Sequence, residues 1–278
     1  MKAKKKLLLA LCIVVVLTAT VAGSVLGTIA YLTSSAAVSN VFTVGNVQIV
    51  MDEGKVNRNG EFVNANGEVV TNSANATRVD TNTYHLVPGK QYNKDPQIRV
   101  NSGSEDSYLF VLVRNDLEGI GPKGTTQYLT IAEQMNELGW VKYTEASTGD
   151  VYIYCGDKET LGNSNVALPE KGSEAFNAII SARDNTTGVT THPVFGAEGS
   201  NVTATLTKED GVYNLFKYFY TDPANTDLST YGAAKITLTA VAIQATGFEG
   251  ALGSKESVDA AWAAVKAAYP YIHTGSNS

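Results

Sequence analysis

The sequence predicts a mainly β protein, one domain of packed antiparallel sheets with a few peripheral helices. Three observations carry that expectation. Beyond Tyr31 the apolar residues fall in short runs separated by Gly, Pro, Asn and Asp, which is the punctuation of strands and turns. Only two segments place their apolar residues at clear helical spacing. Of the 278 residues 44% are apolar and 17% charged, a globular balance that excludes a disordered or collagen-like chain. No low-complexity linker interrupts residues 41–278, so they read as a single domain. Strand number and composition favour a two-sheet sandwich over a barrel.

The N-terminus reads as an export signal. Lys2, Lys4, Lys5 and Lys6 precede an apolar run over residues 7–16 broken only by Cys12, and residues 23–30 turn small. These are the three regions of a secretory signal. Thr28 and Ala30 fall at the −3 and −1 positions, which places the expected cut between Ala30 and Tyr31. The competing reading is an uncleaved anchor, because residues 7–30 are long enough for a hydrocarbon layer of about 30 Å. Without the first thirty residues the chain carries 17 Lys and Arg against 27 Asp and Glu, a net charge of −10. That balance argues against nucleic acid as a partner, since phosphate binding needs clustered cations. Cys12 leaves with the signal and Cys155 remains alone, so no intramolecular disulfide is expected. A chain of about 250 residues buries enough core without one. Cys155 ends the run Tyr152-Ile153-Tyr154-Cys155 and reads as a small apolar strand residue, the alternatives being an intermolecular link or a reactive thiol.

Residues 41–50 are the first strand candidate, inside an uncharged stretch over residues 31–51. Residues 55–71 contain the near-repeat Asn57-Arg-Asn-Gly-Glu-Phe-Val and Asn64-Ala-Asn-Gly-Glu-Val-Val. Each Asn-Gly suits a tight hairpin turn with positive φ at both central residues, giving an exposed small meander. Residues 72–83, rich in Asn, Thr and Ser, read as a loop. Pro88-Gly89 is a turn, residues 97–100 are extended and residues 101–107 form a polar turn. The run Tyr108-Leu-Phe-Val-Leu-Val113 is apolar at every position, as expected of a strand covered on both faces.

Leu129, Ala132, Met135 and Leu138 recur at helical spacing before Gly139, predicting a helix over residues 126–138. Residues 140–144 and 151–155 pair as a hairpin around Gly149-Asp150. Residues 175–182 fit either a strand or a helix, and residues 185–201 form a long polar excursion. Residues 235–244 alternate and then become continuously apolar, predicting a strand that runs into the interior. Val258, Ala261, Trp262 and Val265 line one face of a closing helix over residues 257–269, which Pro270 ends.

Motifs for catalysis are not found. A common zinc hydrolase needs two His one helical turn apart with a Glu between them, whereas His85, His192 and His273 are isolated and read as loop or tail residues. There is no Gly-x-Ser-x-Gly nucleophile elbow. The turns at Gly156-Asp157-Lys158 and Gly121-Pro122-Lys123-Gly124 lack phosphate-loop spacing. Glu105 and Asp106 are adjacent and alternate faces if extended, so residues 102–107 read as a turn and not a cation site. The Asn-x-Asn-Gly-Glu repeats lack the acidic ligands of a calcium loop. No catalytic, cofactor-binding or metal-ligating residue is assigned, and no cofactor is expected.

A resemblance adds a direction. Gly27-Thr-Ile-Ala30, Tyr31-Leu-Thr-Ser and Asn40-Val-Phe-Thr-Val-Gly45-Asn-Val-Gln-Ile resemble the export signal and first strand of the TasA and camelysin family. Pro88-Gly89-Lys90, Lys94-Asp95-Pro96, the strand over residues 104–111 and Thr239-Ala-Val-Ala-Ile-Gln-Ala245 before the Trp262 helix are also similar to that family. Residues 55–83 look like an insertion peculiar to this chain. The resemblance implies a secreted Gram-positive biofilm-matrix protein with a jelly-roll-like sandwich. It further implies a processed N-terminal strand that inserts into the next subunit to build fibres. The donor segment would be Tyr31, Leu32, Thr33, Ser34, Ser35, Ala36, Ala37, Val38, Ser39 and Asn40; an uncharged, Pro-free segment meets the physical demands of strand addition. Expected partners are further copies of the chain in a head-to-tail homopolymer, a signal peptidase, the membrane before cleavage and an accessory matrix protein. Two other readings stand beside this one: a monomeric surface adhesin whose loops 55–83 and 185–201 bind glycans, and a camelysin-type metallopeptidase, for which the sequence offers no ligand cluster.

Overall fold

A computed structural model describes residues 33–124, 127–146, 149–156, 167–183, 192–198 and 201–270. The predicted signal, the cleavage site Ala30/Tyr31, Leu32 and His273 lie outside the described residues. The strands are β1 (Thr33–Val44), β2 (Ile49–Gly54), β3 (Arg78–Val79), β4 (Thr81–His85), β5 (Gln91–Asn93), β6 (Gln97–Val100), β7 (Ser107–Asn115), β8 (Trp140–Ala146), β9 (Gly149–Tyr154), β10 (Val212–Asn214), β11 (Tyr218–Tyr220) and β12 (Ile236–Gln244). The helices among the described residues are α1 (Ile131–Glu137), α2 (Glu174–Ala182) and α3 (Lys255–Ala268). The protein is mainly β. A six-stranded sheet runs β4-β1-β12-β7-β9-β8, a four-stranded sheet β10-β6-β2-β3, and β11 pairs with β5. Pairing is antiparallel except between β1 and β12, which run parallel.

β7 explains the layering. Its odd and even positions point to opposite faces of the sheet, and both sets are apolar. Leu109, Val111 and Val113 join the larger core, shared with Ile49 and Met51 of β2, Ile98 and Val100 of β6, and Tyr92 and Phe219 of the small sheet. Tyr108, Phe110 and Leu112 join a second core on the other face, closed by Val258, Ala261, Trp262 and Val265 of α3. The helical stripe predicted at the C-terminus therefore covers the outer face of the large sheet. Phe110 and Trp262 meet with ring centroids 5.0 Å apart. The Tyr108 hydroxyl bonds Ser257 Oγ at 2.8 Å and accepts from Gly253 N at 2.8 Å, fixing the start of α3 to the sheet.

Several expectations need correction. The strand predicted over residues 41–50 is two strands in two different sheets. Gly45 breaks it, with φ +88° and Gln244 so close that a Cβ would lie 2.7 Å from its Oε1; such a turn requires Gly. The loop predicted over residues 72–83 contains β3 and the start of β4. The helix predicted from residue 126 begins at Ile131, where Thr130 caps Glu133 N and the Glu133 carboxylate returns to Thr130 N, a reciprocal cap. Residues 175–182 resolve as α2, capped by Ser173. His85 lies half-buried in β4 and not in a loop. In the repeated turns only Gly60 and Gly67 have positive φ. Asn57 Oδ1 accepts from Asn59 N and Glu61 N, and Asn64 Oδ1 repeats this with Asn66 N and Glu68 N, so side-chain bonding shapes both turns. The meander is not wholly exposed, because Val56, Phe62 and Val63 are buried.

Candidate assembly site

Of the expected donor segment, Thr33, Ser34, Ser35, Ala36, Ala37, Val38, Ser39 and Asn40 all lie in β1. Its backbone pairs within its own chain. Thr33 to Ala37 pair antiparallel with β4, Ser35 opposite Thr83 and Ala36 opposite Asn82. From Val38 the strand changes partner and pairs parallel with β12, Val41 opposite Ala240 and Val44 opposite Ile243. The two halves of β1 thus have different neighbours, with a register shift between Val38 and Asn40 where the change occurs.

Each wall beside β1 is tied to the body by groups that do not involve it. β12 pairs along its whole length with β7, from Ile236 opposite Asn115 to Gln244 opposite Ser107. β4 is tied by side chains. Asn82 is buried, donates from Nδ2 to Gly54 O at 2.8 Å and accepts at Oδ1 from Val56 N at 2.8 Å. Tyr84 is buried, donates to Asn93 O at 3.1 Å and packs edge-on against Phe219 at 5.0 Å and Tyr92 at 5.9 Å. Burial raises the Tyr84 phenol well above its ordinary value, and the Glu53 and Asp95 charges add to this. The hydroxyl therefore stays a donor.

Beneath β4 lies a network of buried charge. Lys94 Nζ meets Glu53 Oε2 at 2.5 Å, and neither side chain is exposed. Burial pushes the Glu53 carboxyl up and the Lys94 ammonium down, their mutual attraction opposing both shifts. Glu53 Oε1 has no hydrogen-bond partner among the described residues. Alongside, Arg78 spans Asp52 at 2.7 Å and Asp95 at 2.8 Å and also bonds both their carbonyl oxygens. Asp95 Oδ1 accepts from Gly54 N at 2.7 Å, and Arg99 pairs with Asp52. These contacts bind β2, β3 and the turn after β5 into one block. Residues 55–83, which the resemblance sets apart as an insertion, supply Arg78 and Asn82 to that block.

The sequence pointed to none of these charged residues as a group. Lys94-Asp95-Pro96 carries only a resemblance to a family motif, and Arg78 lies in a stretch whose Asn, Thr and Ser content reads as a loop. Cys155 is buried, and burial pushes its thiol up to about 12, so at neutral pH it is an uncharged strand-end side chain. Among the described residues no group of three or more His, Cys, Asp or Glu would hold a metal ion. No helix among them is long and apolar enough to cross a membrane. Comparisons with protein-family models, curated proteins and solved structures find no match to this chain.

Proposed function

We propose that this chain is an exported, non-enzymatic structural subunit that forms extracellular matrix fibres by strand exchange. A signal peptidase would cut between Ala30 and Tyr31, freeing residues 31–40 from the membrane. The freed segment would leave its own sheet and pair with β4 and β12 of the next copy. The reading carries with it a TasA-like and camelysin-like subunit with a jelly-roll-like sandwich, and an accessory matrix protein as a further partner.

One observation carries the proposal: β1 joins two strands that are each anchored to the body without it. Withdrawing β1 would leave β4 held by Asn82 and Tyr84, and β12 held by β7. Unpaired strand edges are templates for another strand, and the same segment from a second copy fits the same register. A contact in which each copy gives a strand at one place and receives at another is head to tail, and it yields filaments where the rotation does not close. Gly45 supplies a turn at which β1 can swing away from β2.

The test is electron microscopy with light scattering on residues 31–278 beside residues 41–278. Filaments in the longer form only, with folded monomer in the shorter, support strand exchange. Monomers in both forms contradict it.

A further inference from the structure

A cleft among the described residues lies away from β1 and β4, and none of its lining residues belongs to either strand. It holds about 330 Å³ between the end of β7 and the turn after it, the first residues of α1, β9 and β11. That volume sits at the small end of the roughly 300–1,000 Å³ typical of small-molecule sites.

Its floor contains an unusual group. Tyr152 of β9 is only 6% exposed; its phenol oxygen makes no hydrogen bond among the described residues, although the side chain lines the cleft. The phenol oxygen is open to the cleft, where a ligand or water can complete its hydrogen bonding. Burial raises its pKa, with Asp150 and Glu118 adding to the effect, so the phenol remains a donor. On the rim the Glu118 carboxylate likewise accepts no hydrogen bond among the described residues, and it is exposed.

The remaining lining selects the ligand. Arg114 and Lys123 face the cleft together with Asp116, Glu118 and Asp150, so neither an anion nor a cation is favoured over a neutral molecule. Leu129 and Ile131 give an apolar wall beside these polar groups. A ligand that matches this surface has hydroxyls along one edge, which both donate and accept, and an apolar C–H face. We propose that the cleft binds a neutral pyranose sugar, with one hydroxyl accepting from the Tyr152 phenol and a neighbouring one donating to Glu118. This site is independent of strand exchange: a fibre subunit or a monomer would carry it equally.

The test titrates the folded protein recovered from an expressing culture with glucose, galactose, mannose and N-acetylglucosamine, read by saturation-transfer NMR. Saturable binding of at least one sugar is expected, weakened about tenfold in Tyr152→Phe, as loss of one hydrogen bond of about 1.4 kcal/mol implies. Because the phenol has no internal partner, Tyr152→Phe should melt at the wild-type temperature; a structural role would lower it. Tyr143→Phe, which removes a 2.7 Å bond to Asp259 under α3, should leave binding intact. No saturable binding of any of the four sugars, or equal binding by Tyr152→Phe, overturns the proposal.

Discussion

β7 and β1 both occupy interior places in the order of the six-stranded sheet, yet they are held in different ways. From Phe110 to Val113, β7 is paired on both edges at once, with β12 on one side and β9 on the other. Its side chains are buried on both faces. No residue of β1 is paired on both edges among the described strands: Thr33 to Ala37 pair only with β4, and the residues from Val38 onward only with β12. An interior place in a strand order is therefore not the same as a flanked position. β7 is integral to two cores, whereas β1 acts as a splice between a well-held strand and a side-chain-anchored one. Strands with few flanking bonds come from the low-stability end of a structure, which is where an exchangeable element belongs.

Breaking β7 should have the largest effect. Phe110→Ala removes a fully buried ring packed on Trp262, and the lost burial and resulting cavity should cost about 3–5 kcal/mol. Chemical denaturation followed by tryptophan fluorescence should show a lower midpoint for the whole molecule, with no filament-specific effect. A smaller and more local loss is expected at the wall that receives β1. Asn82→Ala leaves Gly54 O and Val56 N without their side-chain partner and should cost about 1–3 kcal/mol. Amide exchange measured by mass spectrometry should then rise in β1 and β4 well before it rises in β7. Equal acceleration in all three strands would erase the distinction between splice and core.

The contrast between the two strands also marks what the sequence makes visible. β7, β12 and α3 were legible because each buries a continuous or periodic set of apolar residues, and burial leaves its period in the sequence. The start of α1 was misplaced because the reciprocal cap at Thr130 and Glu133, not the apolar period, sets it. β4 was hidden within Thr81-Asn-Thr-Tyr-His85, where the inward positions are Asn82 and Tyr84. A buried Asn reads as loop until its amide is seen bridging Gly54 and Val56. The charged block was equally hidden, since Glu53 and Lys94 are 41 residues apart and nothing local marks a buried charge whose partner is distant. The candidate donor segment was legible as uncharged and strand-forming, but its change of partner at Val38 depends on two strands that follow it at long range.

The central claim is that β1 must leave its own sheet before fibres form. It is tested most directly by locking β1 in place through Ser35→Cys and Thr83→Cys, which replace directly opposed residues of β1 and β4, in a Cys155→Ala background. Directly opposed antiparallel residues lie within disulfide reach. Oxidised monomer isolated before assembly should remain monomeric by light scattering and electron microscopy, and the same sample should form filaments after reduction. Filaments from the oxidised monomer, with the crosslink still within one chain, would contradict strand exchange.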